Sequence, residues 1–390
     1  MNILVLGGCG VQGRAALYDL SRNDRVKRIL CADMHPDLIR DFHFLDTGRI
    51  ETVLLDASDV ESMVSLMQQG VDGVIDLLPA QFARPAAQAA LRAGVSIVNT
   101  NYGYPLHDLQ EQAVAAGIAI MPEIGLDPGI DLVFYRYGAE QFDTVELLNS
   151  YCGGIPEKTA CTNPLQYKIS WNWDMVIRTQ KRDSVIIHDH REIPVPAANQ
   201  HENPFVHEIE FPGLGRLEAF PNGNAAHFLR LLGFGDKVME SGRYTLRWPG
   251  WCGFWDSMKK LGFLDEEPVP GIPGGVTPHE FLVRLLEPRL QYGQNEKDLA
   301  VMQNVLIGTT SGKRKKLTGS VVIERDLSTG LMGMALGVGY PACIAIEMIL
   351  SGQVPEKGVL SPVTHIHPAP FFEELGRRGI HMDIVMEDLA

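Results

Sequence analysis

Apolar and polar positions follow a regular beat through the first 125 residues. The aliphatic run Ile3-Leu4-Val5-Leu6 meets Gly7-Gly8-Cys9-Gly10, and the next apolar run ends at Cys31-Ala32-Asp33. Further runs stand at 52–55, 73–78, 96–98 and 118–121, with helical stretches such as 85–93 and 106–116 between them. Continuous aliphatic runs suit strands covered on both faces, and the interleaved helices supply that cover. The pattern predicts an α/β fold whose N-terminal part is a Rossmann-like, doubly wound parallel sheet. The beat stops at Glu123-Ile124-Gly125-Leu126-Asp127-Pro128-Gly129. Longer β segments follow at 145–151, 184–190, 208–211 and 243–248. A hairpin is expected from 301–307 and 320–323 around Thr310-Ser311-Gly312-Lys313, which makes the second part a mixed α/β domain. The proline- and glycine-rich run 267–278 reads as a surface loop. The longest apolar stretch, 331–350, contains Glu347. Pro341 reads as the first turn of its helix and Gly352 as its stop, which predicts a core helix and not a membrane span. The expected domains are 1–125 and 126–340, with 341–390 packing back on the first.

Composition changes this picture little. The chain has 390 residues, enough for two cores. With 45% apolar and 21% charged residues it reads as an ordinary globular protein. A net charge of -14 argues against nucleic-acid or anionic-membrane partners. Cys9, Cys31, Cys152, Cys161, Cys252 and Cys343 form no C-x-x-C pair. They suit a reducing, cytoplasmic compartment. Residues 1–20 read as a core strand and helix, not as a signal peptide.

The first chemical signal is the glycine turn. Gly8, Gly10 and Gly13 read as G-x-G-x-x-G between a strand and a helix, and Asp33 stands 20 residues further on. In that pattern the first glycine makes the tight turn, the second admits a pyrophosphate, and the third lets helix and strand pack closely. The phosphates meet the helix start at Val11 and Gln12. Asp33, with Met34 beside it, is placed to accept hydrogen bonds from an adenosine ribose. Asp56, Ala57, Leu78, Pro79, Asn99 and Tyr102 follow strand carboxyl ends and are expected at the same mouth.

Other clusters carry less. Lys313-Arg314-Lys315-Lys316 reads as a solvated hairpin tip. His188-Asp189-His190 and His365-Ile366-His367 each put two imidazoles on one face of an extended segment, but neither has a second ligand cluster, so no metal site is expected. The absence of G-x-S-x-G argues against a serine hydrolase. Glu123 to Asp131 gathers acids around two turn glycines. Asp127 either caps the next helix or projects as an acid toward cofactor and substrate. Gly153-Gly154 after a strand would let backbone amides approach a ligand. Arg247, in Tyr244-Thr245-Leu246-Arg247-Trp248, needs an anion, either a protein acid or a substrate carboxylate.

Taken in order, these blocks resemble the saccharopine dehydrogenase family, both its saccharopine reductases and the related lysine 6-dehydrogenases. The matching segments are the glycine turn, Val98-Asn99-Thr100-Asn101-Tyr102, 123–131, Tyr151-Cys152-Gly153-Gly154-Ile155-Pro156, 163–171, 244–250 and Gly358-Val359-Leu360-Ser361-Pro362. The resemblance implies a Rossmann domain and a second domain that closes over the substrate. It implies nicotinamide-linked oxidation or reduction at a C–N bond of a lysine-derived amino acid, and a homodimer. It places Asn101, Tyr102, Asp127, Cys152, Gly153 and Arg247 in the substrate site, and Tyr244, in the same block as Arg247, is expected to bind substrate with them. Chemically, Arg247 is the carboxylate binder, with Lys168 second. Asp127 orients or deprotonates the amine, helped by Tyr102 and by the amides near Cys152 and Gly153. Asp33 favours NAD, because a carboxylate repels the 2′-phosphate of NADP; His35 and Arg40 keep NADP open. Lysine oxidation, an opine-type reaction and a non-catalytic dinucleotide-binding regulator are the alternatives.

Overall fold

A computed structural model describes residues 1–102 and 104–389. In the first part run β1 (Asn2–Leu6), β2 (Arg28–Asp33), β3 (Ile50–Leu54), β4 (Gly73–Asp76), β5 (Ser96–Asn99) and β6 (Ala119–Met121). Then come β7 (Thr144–Pro156), β8 (Ser184–His188), β9 (Arg191–Val195), β10 (His207–Phe211), β11 (Gly215–Pro221) and β12 (Glu240–Arg247). The hairpin β13 (Asp298–Thr310) and β14 (Lys313–Glu324) follows, then β15 (Gly358–Val359) and β16 (Asp383–Asp388).

Two compact units result: Met1–Arg136 with Ser328–His381, and Tyr137–Leu327 with Met382–Ala390. The first holds a parallel sheet in the order β15-β6-β5-β4-β1-β2-β3. Leu4, Leu6, Leu30, Val74, Ile97 and Ile120 pack with helices Val60–Met67 and Ala83–Ala93. The alternate residues Ile3, Val5, Ile29 and Ile75 are buried too, as strands covered on both faces require. The helix Gly333–Leu350 lies on that other face, where Ile346 meets Gly73. It is the one described helix long and apolar enough to span a membrane, and most of it is buried inside the unit.

The second unit holds a mixed sheet, β10-β11-β12-β7-β13-β14-β16, with β8 on β12 and β9 on β8. The β12–β7 pair is parallel and its neighbours are antiparallel. Aromatic side chains fill one core, where Tyr167, Trp173, Trp251 and Trp255 pack together.

Several expectations change. Pro341 lies inside its helix, not in the first turn, because the apolar residues before it extend the helix back to Gly333. Of the segment 341–390, residues to His381 belong to the first unit as expected, and only those from Met382 leave it: β16 pairs with β14 from Ser320↔Asp383 to Lys315↔Asp388. The basic run is not a free turn but the start of β14. Arg314 pairs with Glu146 at 2.9 Å, Lys315 with Asp388 at 3.2 Å and Lys316 with Glu387 at 3.7 Å. Ser311 and Gly312, both at positive φ, make the actual turn. Asp189 and His190 likewise form the turn between β8 and β9, so the two imidazoles of that segment do not share a strand face.

Candidate functional site

In the first unit, β1 delivers the chain into a turn whose left-handed residue is Gly7, φ 74°. The Gly7 N–H donates to Ala32 O at 2.8 Å, and the Gly10 N–H donates to Gly7 O at 3.1 Å. The tight-turn role expected of Gly8 therefore belongs to Gly7, and the working spacing is Gly7-x-x-Gly10-x-x-Gly13. Gly8 has a different task, since a Cβ there would stand 2.6 Å from Cys31 Sγ. A Cβ at Gly13 would stand 2.3 Å from Gly7 O, so only glycine lets this helix approach the turn.

Gly10 is the N-cap of helix Val11–Ser21, without a side-chain cap and with no acid in the first turn. The helix thus offers uncapped amides and the positive end of its dipole. Val11 is exposed and Gln12 half-buried beside it. The Asp33 carboxylate accepts from the Cys9 N–H and the His35 N–H, both at 2.9 Å, which fixes it beside the turn. Met34 is exposed. These features fit a dinucleotide: amides for phosphates, and an acid for the ribose.

The remaining strand ends of this unit add polar groups. Asp56 is exposed and closes a local turn, accepting from Ser58 N at 2.9 Å and Ser58 Oγ at 2.7 Å; both bonds hold it below the usual carboxylate range. Ala57 is buried next to it. Asp76, at the end of β4, is 0% exposed. Its Oδ1 accepts from Leu78 N–H at 3.0 Å, its Oδ2 has no partner, and burial pushes its pKa up to about 7. The sequence reading passed over Asp76; the signal was an acid ending the apolar run Gly73-Val74-Ile75. Leu78 and Pro79 follow, half-buried and exposed.

The Asn99 side chain accepts from Asn101 N–H at 2.9 Å, and Asn101 Nδ2 is buried without a partner. Tyr102 is half-buried next to it. The Glu123 N–H donates to Asn101 O at 2.9 Å and the Ile124 N–H to Asn99 O at 3.1 Å, which joins the acid turn to β5. In that turn Asp127 is half-buried. At the start of helix Ile130–Ala139, Asp131 Oδ1 accepts from Gly129 N–H at 2.8 Å. The backbone of the acid turn thus abuts the end of β5 at Asn99 and Asn101 in the first unit.

In the second unit Arg247 is 4% exposed. Its guanidinium lies 5.3 Å from the Tyr167 ring centre and 5.0 Å from that of Trp251. Nη1 donates to Leu246 O at 2.7 Å, and Nε has no partner. No carboxylate pairs with it among the described residues, and burial lowers its pKa. Tyr292, whose hydroxyl is buried without a partner, acts on the same guanidinium, as does Cys152 on β7. No motif of the sequence had pointed to Tyr292. Lys168 is different: its Nζ reaches both Glu296 oxygens, at 2.7 and 2.6 Å, so a protein acid already balances it.

Two expected members do not join this cluster. Tyr244, three residues before Arg247 on β12, faces the other side of the sheet. There it stacks on Tyr151 at 5.0 Å and meets His207 edge-on at 4.7 Å. Gly153 does not offer its backbone to a ligand, because Cys152, Gly153 and Gly154 are paired within β7. A Cβ at Gly153 would lie 2.3 Å from Leu246 O, so this glycine makes room for the neighbouring strand. The histidines of 365–367 serve locally: His365 Nδ1 lies 2.8 Å from Thr364 Oγ1, and His367 Nδ1 lies 3.4 Å from Arg136.

The fold and the glycine turn define a two-unit α/β protein with a dinucleotide-binding Rossmann-like unit and a mixed-sheet unit. The saccharopine dehydrogenase NADP binding domain matches residues 3–121, and the saccharopine dehydrogenase C-terminal domain matches residues 125–380. The chain belongs to the saccharopine dehydrogenase family. It is 26% identical to the mitochondrial alpha-aminoadipic semialdehyde synthase of Mus musculus, over 97% of this chain and 47% of that protein. It is also 26% identical to the saccharopine dehydrogenase [NADP(+), L-glutamate-forming] of Saccharomyces cerevisiae, over 98% of both chains. The solved apo saccharopine dehydrogenase (L-Glu forming) from Saccharomyces cerevisiae shares the fold, with a TM-score of 0.84 and 23% identity over 100% of both chains. The chain spans about half the length of the mammalian relatives it matches.

Proposed function

We propose that this chain is an NAD(P)-dependent oxidoreductase acting on the C–N bond of a lysine-derived amino acid, as a saccharopine dehydrogenase of the reductase type. The observation that carries the reading is Arg247, a buried guanidinium with no carboxylate partner among the described residues, in a chain that also carries a dinucleotide turn. Such a cation calls for an anion from outside, and an amino-acid carboxylate matches its planar fork. Saccharopine carries carboxylates and a secondary amine. Relatives of this chain bear the saccharopine name over nearly their whole length.

The turn Gly7–Gly13 and Asp33 would hold the dinucleotide, which when bound supplies the hydride acceptor. Arg247 holds a substrate carboxylate, and the Tyr292 hydroxyl beside it is available to donate to the same group. Asp127 orients the amine, and its negative charge favours the cation that hydride loss creates at that nitrogen, while water takes the amine proton. Tyr102 and Asn101, whose Nδ2 is unpartnered, position the substrate. Loss of hydride from the carbon beside a neutral amine leaves a protonated imine, and addition of water then splits its C–N bond to give an aldehyde and a protonated amine.

For the cofactor we propose a preference for NAD+, supported by the Asp33 carboxylate beside the turn, although the yeast relatives are named for NADP(+). A homodimer and a cytoplasmic setting complete the proposal; sedimentation and fractionation test them. The deciding experiment follows NAD+ and NADP+ reduction with saccharopine and, separately, with L-lysine at mildly alkaline pH. Turnover with saccharopine is expected. Turnover with lysine alone would replace the reading by a lysine 6-dehydrogenase, and binding without turnover of either would replace it by a regulator.

A further inference from the structure

The glycine turn carries a sulfur in its middle. Cys9 lies between Gly8 and Gly10, and its Sγ is 3.8 Å from Cys31 Sγ on β2. Both thiols are buried in the first unit. Cys31 Sγ packs where a Gly8 side chain would stand, so the turn rests directly on this sulfur. The backbone N–H of Cys9 is the group that holds Asp33 Oδ2. The two sulfurs thus sit between the phosphate turn and the ribose acid.

We propose that Cys9 and Cys31 are an oxidisable dithiol, and that a disulfide between them closes the dinucleotide turn. The inference rests on the dinucleotide reading of that turn. A disulfide brings sulfurs to about 2.05 Å, so the Cys9 sulfur must move toward β2. The flanking glycines give the turn freedom to follow. The movement swings the Cys9 amide and changes its bond to Asp33, so phosphate and ribose contacts are disturbed together.

The roles of the two thiols differ. The contact between the two sulfurs lowers the pKa of Cys9, while that same contact and then burial raise that of Cys31. Cys9 is the nucleophile, since the thiolate is the reactive form. With a hydroperoxide as oxidant, the Cys9 thiolate attacks one peroxide oxygen. An S–O bond forms, the O–O bond breaks, and the leaving oxygen takes up a proton. The Cys31 sulfur then attacks the sulfenic sulfur. An S–S bond forms, the S–O bond breaks, and the hydroxyl departs as water with the Cys31 proton. Two electrons pass from the sulfurs to the peroxide. Dithiols of this kind occur in reducing compartments as transient, redox-sensing pairs.

The test uses the full chain, reduced and then exposed to hydrogen peroxide with and without excess NAD+ or NADP+. Non-reducing peptide mapping reads the link, and calorimetry reads dinucleotide affinity. The expected result is a Cys9–Cys31 link, an affinity loss of about tenfold or more, recovery with a thiol reductant, and slower linking under bound dinucleotide. Absence of the link, or a link that leaves affinity unchanged, would overturn the proposal. Cys31→Ala is the control: a thiol-reversible affinity loss as large as in the wild type would show that the disulfide is not the cause. Failure of the reduced chain to bind either dinucleotide would sink the functional reading and the switch built on it. The mapped link would still establish or refute the dithiol.

Discussion

Asp76 in the first unit and Arg247 in the second are both buried, and neither has an ion partner among the described residues. Each keeps one unpartnered polar atom, Oδ2 of the acid and Nε of the guanidinium. Their chemistry makes the outcomes opposite. A carboxyl can shed its charge by taking up a proton, and burial raises Asp76 to about 7. A guanidinium cannot be deprotonated in a protein, so Arg247 stays charged and has to be answered by an anion. Equal burial thus produces a pH-sensitive group in one unit and a fixed, unpaired charge in the other, which is what the proposed carboxylate binding rests on.

The largest expected effect comes from breaking the acid side of this pair. Between pH 4 and 7 the folded chain keeps a proton on Asp76 that the unfolded chain, with the ordinary value of 3.8, has released. The unfolded state binds fewer protons there, so stability falls as pH rises through this window and levels off above it. At about 1.4 kcal/mol per pH unit, the Asp76 contribution amounts to about 4 kcal/mol over the window. Asp76→Asn keeps the acceptor for Leu78 N–H and removes the titration. The variant should therefore gain on the wild type steadily from pH 4 to 7, as read by denaturant unfolding. Parallel curves for the two proteins would show that Asp76 is solvated or paired in solution.

The next effect sharpens the cation side. Arg247→Met replaces an unpaired buried charge by an apolar chain, which often stabilises a fold. Loss of a buried charged contact to a ligand costs about 2–5 kcal/mol. KM for saccharopine should accordingly rise about 100-fold or more, while the unfolding midpoint holds or increases. A fall in stability with KM unchanged would make Arg247 a structural group.

These two residues also show what the sequence discloses. The parallel sheet was legible because most of its strands carry a short apolar run and recur at even spacing; the two-residue β15 at its edge offers no such run. The second unit hid β9, β11 and β16: β16 is Asp-Ile-Val-Met-Glu-Asp, exposed throughout, and only its pairing with the basic start of β14 defines it. Arg247 was legible because an arginine in an aromatic strand demands an anion. Tyr244 shares a motif with Arg247 but not a face, because residues three apart on a strand point to opposite sides. Gly153 is ambiguous in a related way. Two glycines look the same whether a ligand or a neighbouring strand approaches them, and only the position of Leu246 O decides. Lys168 looked like Arg247 until its partner was seen, and Glu296 lies 128 residues away.

Lys168 therefore supplies the smallest effect and the control for the comparison. Like Arg247 it is buried, but Glu296 neutralises it, and that acid is itself 27% exposed. A cation already satisfied has little left to give a substrate carboxylate. Lys168→Met should leave KM for saccharopine within about threefold, a change under about 1 kcal/mol. Stability should fall modestly, because Glu296 stands near water and can be rehydrated once its partner is gone, unlike an acid left in a dry core. A Lys168→Met variant whose KM rises as steeply as that of Arg247→Met would show that substrate displaces Glu296 and that both cations receive carboxylates. The contrast would then lie not between paired and unpaired cations but between a receptor that is always open and one that its own acid keeps closed.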